Sequence, residues 1–573
     1  MVSVKLVIAW IVVYTVIAFA VSKYYGDDDT WWNISGPMLT LRSQYGLDTI
    51  RYMAKKGKSF WGGWGVIGVI LALVTSVISL ITVTLSAYGV FLQPDATGIQ
   101  GPTDLVVIPG VNRFLPVSAA PELVVALIIA MVVHELGHAI YCVLGDININ
   151  ATGVILGAFI PVGAFVEPDE EEQNEAETLD QLKMYAAGIT NNYAVFVVSI
   201  VALFILVPML ISPITGVAVG SVFPNSPADQ SELSSGDVIT EVNGVEVDQP
   251  QQINEIASEG GISNVTTNNG ENYEITNGAY VSRASNVSGI NVSSTVVQVN
   301  GEDVVSSSSF DQYLSQYDEN VAEVTYSNGD TGEIYVGLHL TGQEEDNELS
   351  SVIGLGRGES SIIFSVNDQK VTTEQQFKRI LDNHNSQTVN ITYLSEGEIE
   401  TTTYEVSDSE FNSVIFADNP SSISTANLGI DLFPKDQYYN TLSFDDTVSG
   451  TLSNVYRTVF LPIISIVPGA SFGLPGFTPF VQNFYTVGAG GGFVSSIVFF
   501  LISVIFWTSW ININLAVFNC LPTFTLDGVH MVKAIVWRLP FDLSESSEIY
   551  IIRTIKLIAL LPLLGLIVGP LVL

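Results

Sequence analysis

His134-Glu135-Leu136-Gly137-His138 lies inside the apolar run LIIAMVVHELGHAI, residues 127–140. On a helix, residues four apart share a face, so both imidazoles can address one ion. Glu135 then sits beside the ion's open position, where a carboxylate can take a proton from bound water. The bland alternative is a pair of buried histidines bonded to neighbouring helices. In lipid that alternative leaves a carboxylate without a counterion, which is costly.

A hydrolytic zinc site wants a third protein ligand and one water. Asp527 is the candidate, in NLAVFNCLPTFTLDGVH, residues 514–530, just after another apolar run. Irregular backbone at membrane depth is tolerated only where protein or a watery cavity receives it, which is where a site belongs. Cys142 and Cys520 lie near these residues, but a thiolate ligand would close the site rather than leave it open. His530, three residues after Asp527, reads as a neighbour of the site or as a group facing away.

These residues need a membrane scaffold. Apolar runs at 4–22, 64–93, 122–145, 185–211, 490–516 and 551–573 are each near the length that crosses a hydrocarbon core. The expected fold is a multi-span α-helical membrane protein of about six spans, its first run an anchor rather than a signal peptide. Lys23, Arg42, Arg51, Lys55, Lys56 and Lys58 crowd residues 23–62, which puts that loop in the cytoplasm. Alternation then makes residues 213–450 extracytoplasmic, and Lys533 and Arg538 return to the cytoplasmic side. The metal residues fall near that side.

The chain carries 58 acids against 20 bases, a net charge of −38. Such a surface repels nucleic acid and suits high salt, where self-repulsion is screened. The expected location is therefore the plasma membrane of a high-salt prokaryote or archaeon, with lipid as surroundings. The two cysteines give no disulfide framework to the exterior region.

That exterior region is rich in Ser, Thr, Asn and Gly. DVITEVNGVEV, STVVQVNGEDV and SIIFSVNDQKV align on Asn243, Asn300 and Asn367, each followed by Gly or Asp, which is hairpin-turn chemistry. After each comes a short helical stretch, QPQQINEIA, SSSFDQYLSQY and TEQQFKRILDN. The spaced recurrence predicts tandem copies of one small β-rich, α+β unit. The stretch VGSVFPNSPADQSELSSGDVITEVNG resembles the PDZ family, which implies capture of an extended peptide by strand addition. A β-rich spacer that gates access and binds nothing is the other reading. Asn264, Asn286, Asn291 and Asn390 head glycosylation sequons in the same region.

Between the two motifs, INATGVILGAFIPVGAFVEPDEEE reads as a membrane-associated β-hairpin with Gly153, Gly157 and Gly163 near its bends. The expected organisation is an anchor and basic loop (1–62), a second span and exterior loop (63–121), and the first half of a catalytic core (122–212). The PDZ-like repeats (213–450), the second half of the core (451–540) and a C-terminal span (541–573) follow.

HExxH in a span, followed far downstream by N-x-x-P-x-x-x-L-D-G from Asn519 to Gly528, resembles the site-2 protease family of intramembrane zinc metalloproteases. The resemblance implies His134, His138 and Asp527 as zinc ligands and Glu135 as the base. AAGITNNYAVF resembles the family's Gly-Pro-x-x-Asn turn entering the next span, with Gly188 aligned and Asn192 as the group polarising the substrate carbonyl. Ile189 stands in place of the usual Pro, and Phe524 in place of a second. The family also implies Asn519 in contact with substrate backbone, with Asn514 a weaker candidate, and the hairpin offering a strand edge to unwound substrate. It further implies membrane-anchored protein substrates, pre-trimmed by another protease, cut within or beside their span. The principal rival is a catalytically inactive membrane scaffold whose PDZ-like domains bind peptide tails; a zincin acting on soluble chains and a metal transporter are weaker.

Overall fold

A computed structural model describes residues 12–17, 20, 32–35, 38–92, 107–112, 115–157, 160–257, 260–284, 287–342, 349, 352–353, 355, 359–382, 388–395, 397–405, 414–416, 423–426, 428–464, 476–488, 492–538 and 544–572. The chain forms two compact units, one of residues 1–212 and 436–573, the other of residues 213–435.

The first unit is helical. An amphipathic helix α1 (Leu47–Lys56) precedes α2 (Lys58–Leu92), α3 (Ala120–Leu144), α4 (Thr178–Leu210), α5 (Gly492–Asn519), α6 (Asp527–Val536) and α7 (Glu545–Val572). Five of these, all but α1 and α6, are long and apolar enough to cross a membrane. The expected span at 4–22 lies mostly outside the described residues. The protein is an integral membrane protein with a β-rich region.

Helices α3 and α4 cross closely because small residues meet. A Cβ on Gly137 would fall 2.7 Å from the Ala187 carbonyl oxygen, so only glycine lets the backbones approach this far. The basic loop is more structured than its sequence suggests. Leu47 and Ala54 of α1 are buried with Ala139, Ile140 and Tyr141 of α3, while Arg51, Lys55 and Lys56 stay exposed. That is the period of a surface helix.

The same loop supplies two strands, β1 (Trp32–Ser35) and β2 (Met38–Ser43), to the hairpin formed by β3 (Ile149–Gly157) and β4 (Ile160–Pro168). The sheet runs β1-β2-β3-β4, all antiparallel, with Ser43 opposite Thr152 and Thr152 opposite Val166. Gly153 has room only for hydrogen, since a Cβ there would sit 2.2 Å from the Leu41 carbonyl oxygen and 2.3 Å from the Phe165 ring. Strand β4 is an edge, pairing no other strand among the described residues.

The second unit holds three sheets of one design. The first uses β5 (Val217–Val222), β6 (Val238–Val242), β7 (Ile262–Thr267) and β8 (Asn272–Thr276). The second uses β9 (Ala279–Ala284), β10 (Thr295–Val299), β11 (Val321–Tyr326) and β12 (Thr331–Tyr335). The third uses β13 (Leu338–Gly342), β14 (Ser360–Val366), β15 (Thr388–Ser395) and β16 (Glu398–Glu405). Asn243, Asn300 and Asn367 all adopt the left-handed conformation, with φ of 53°, 50° and 49°. Each Oδ1 accepts a backbone N–H of the adjacent paired strand, from Asn264, Glu323 and Asn390 at 2.8–2.9 Å. The turn is thus locked to its neighbour three times in the same way.

The copies are nested rather than strictly tandem. Three late strands close them in reverse order: β17 (Val414–Phe416) pairs β13, β18 (Ile423–Ala426) pairs β9, and β19 (Ile430–Leu432) pairs β5. Each sheet therefore reads late strand, first, second, third, fourth, with a two-residue strand added on the second. Each has its own core, with a helix laid over it: Ile253 and Ala257 in the first, Phe310 and Leu314 in the second, Phe377 and Leu381 in the third.

Candidate metal centre

His134 and His138 project from one face of α3, and Asp527 opens α6 after the irregular stretch 520–526. Their ligand atoms converge. His134 Nε2 lies 3.1 Å from His138 Nε2 and 3.2 Å from Asp527 Oδ2, while His138 Nε2 lies 3.5 Å from Asp527 Oδ1. Ligands about 2.0–2.1 Å from a tetrahedral zinc are separated by roughly 3.3 Å, so these spacings fit a shared ion. Asp527 Oδ2 is buried and makes no hydrogen bond among the described residues, which suits an ion-facing oxygen. The donor set, two imidazoles and a carboxylate, is one that zinc accepts with a fourth position open. No other group of metal-binding side chains this close occurs among the described residues.

Backbone and side-chain groups behind the ligands hold them in place. His138 Nδ1 is 2.7 Å from the Met184 carbonyl oxygen, which fixes that ring with Nε2 toward His134 and Asp527. His134 Nδ1 is 3.3 Å from Asn192 Nδ2. Glu135, next to His134 in sequence, lies near the backbone N–H of Val166, so the edge strand β4 runs beside it.

Gly188 is not part of a turn. Helix α4 continues through it from Thr178 to Leu210, and a Cβ would lie 2.6 Å from His134 Nε2 and 2.7 Å from His138 Nε2. Ile189 in place of proline lets the helix run on, since proline would remove a hydrogen bond there. The glycine is where α4 passes across the two imidazoles.

Asn519 ends α5, half-buried, and its side chain makes no hydrogen bond among the described residues. Asn514 donates to the Trp510 carbonyl on its own helix. His530 stacks on Tyr185 at 5.1 Å between ring centroids, outside the ligand set. Cys142 and Cys520 are free and buried, the former with its thiol 3.4 Å from Met184 Sδ. At the junction of α5 and α6, Gly528 has no room for a Cβ, and Phe524 takes φ of 50°. A proline cannot adopt that angle, so the loss of the second proline goes with a different local path.

Sequence reasoning missed the Met184 carbonyl and the Val166 N–H, because backbone groups leave no signature in residue types. It also missed Asn512, fully buried on α5, whose Oδ1 has no hydrogen bond among the described residues. An asparagine inside an apolar run was the available signal.

Over 163 residues, 27% of the chain, it is 32% identical to the membrane-bound transcription factor site-2 protease homolog of Arabidopsis thaliana. Over 254 residues, 44% of the chain, it is 25% identical to an uncharacterized protein of Methanocaldococcus jannaschii. The chain covers 31% of the plant protein's length and 62% of the archaeal one's. The model of peptidase family M50 matches residues 122–429 and 481–563, which include most of α3, all of α4, α5 and α6, and every strand of the three sheets except β19. The chain belongs to peptidase family M50, the site-2 protease family.

Proposed function

We propose that this protein is a zinc endopeptidase that cuts membrane-anchored protein substrates within or beside their span. The observation that carries the reading is the meeting of His134, His138 and Asp527 at 3.1–3.5 Å, with Glu135 alongside. His134, His138 and Asp527 would hold a zinc ion, which would supply the Lewis acidity that makes water nucleophilic near neutral pH. Glu135 takes the proton from that water and later delivers it to the leaving nitrogen.

Substrate enters as a strand. A peptide bond inside a helix is shielded, so the segment must unwind, and the open edge of β4 gives it hydrogen-bond partners on the way to Glu135. Asn519 has an unspent amide for the substrate backbone. The positive-inside tendency puts the site toward the cytoplasm and residues 213–435 outside. There the three nested units act as PDZ-like modules that hold a peptide end or filter substrates by size, which is where a first cut by another protease would matter.

Glu135→Gln separates catalysis from metal binding. The variant should keep one zinc per chain by metal analysis while cleavage of a reconstituted membrane-anchored substrate falls by at least about 100-fold. Cleavage at the wild-type rate by the variant, or a wild-type protein that takes up no zinc, rejects the reading.

A further inference from the structure

We infer that the side-chain oxygen of Asn192 holds the ring of His134 in the tautomer that binds the ion, making Asn192 a positioning residue. The inference rests on the metallopeptidase reading above.

A neutral imidazole carries one proton. A ring that gives the Nε2 lone pair to a metal must keep that proton on Nδ1 and needs an acceptor there. His138 has one, the Met184 carbonyl. Among the described residues, His134 Nδ1 has only the Asn192 amide, and here the nitrogen faces the ring. An amide nitrogen donates and does not accept. In this orientation the amide offers Nδ1 a donor, whereas a ring bound to an ion through Nε2 needs an acceptor there.

Half a turn of the amide exchanges Oδ1 and Nδ2 within nearly the same outline. Oδ1 then accepts from Nδ1–H, and Nε2 is released for the metal. Asn192 is fully buried, and its Oδ1 has no hydrogen bond among the described residues, a condition that costs about 1–3 kcal/mol. After the turn that oxygen is satisfied, and the amino group is left for an acceptor that substrate brings. Orienting His134 and contacting a substrate carbonyl thus use opposite atoms of one amide.

The test measures zinc affinity of the full-length protein in detergent by competition with a chelator. Asn192→Asp keeps an acceptor of the same shape and loses the donor; Asn192→Leu and Asn192→Ala lose both. Asn192→Asp should bind zinc within about threefold of wild type, while Leu and Ala should weaken it by about 10- to 100-fold. The visible spectrum of the cobalt-loaded protein should be kept by Asp and altered by Leu or Ala. Wild-type affinity in Leu or Ala, or an Asp variant that binds zinc more than tenfold more weakly than wild type, overturns the inference. If Leu and Ala do not fold, the Asp variant alone decides. Failure of the wild-type protein to bind zinc counts against the enzyme reading instead.

Discussion

The two imidazoles are held from behind by groups on α4, and α4 reaches them only because residue 188 has no side chain. The nearest neighbours of a Cβ there are His134 Cε1 and Nε2 at 2.6 Å and His138 Nε2 at 2.7 Å. Neither ring can swing aside without giving up its bond to Asn192 or Met184. Gly188→Ala therefore forces α3 and α4 apart, an overpacking that costs about 1–3 kcal/mol. The displaced atoms are the nitrogens that would face a metal in the proposed site, so zinc affinity should fall by about tenfold or more. Gly63→Ala, with nothing within 4 Å of its new Cβ, is the control and should bind zinc as wild type does. Equal affinities in both variants would show that the glycine is incidental. At this scale the sequence was legible where chemistry sits in side-chain types. HExxH on one helix face is a local pattern, and Leu-Asp-Gly marks a break in an apolar run. What escaped depends on packing: Gly188 reads as a turn residue, and only the passage of α4 across His134 gives it a different reason.

Among the elements, the repeated turns and helices were readable because each is settled within about a dozen residues. Asn-Gly between alternating strands specifies a left-handed turn wherever it stands. The closing strands β17, β18 and β19 were not readable. They are three or four residues long, carry no turn signal of their own, and pair with strands far back in the chain. Gly429 shows how such a strand is seated. Its φ is 68°, its carbonyl accepts the Phe223 N–H at 2.9 Å, and a Cβ would fall 2.1 Å from Ser226 Cβ. Gly429→Ala is then both strained and overpacked, at about 1–3 kcal/mol. Hydrogen exchange should quicken in β19 and β5. It should leave β13 to β16 unchanged, because the third sheet has its own closing strand and its own core. Equal acceleration in all three sheets would mean that the nested copies fold as one cooperative block.

The whole molecule carries an excess of acid that no internal pairing can remove, since 20 bases face 58 acids. Residues 213–435 hold more than half of the 58 acids and fewer than a third of the 20 bases, so the β-rich unit feels the repulsion most. Its burial is otherwise conventional, with three apolar cores and acids such as Glu302, Glu323 and Glu398 on the surface. Like charges on one unit repel over about 10 Å at 0.1 M salt but only about 3 Å at 1 M. Repulsion is relieved when the chain expands, so low salt favours the unfolded state. The melting temperature of this unit should rise between 0.1 and 2 M NaCl by on the order of 5 °C, roughly 1–2 kcal/mol for a unit of this size. Sucrose at equal osmolality isolates the charge effect, because it favours burial without screening and should give a smaller shift. A transition that does not move with salt, or that sucrose moves as far, would leave the acid excess without a role in stability and remove the case for a high-salt habitat.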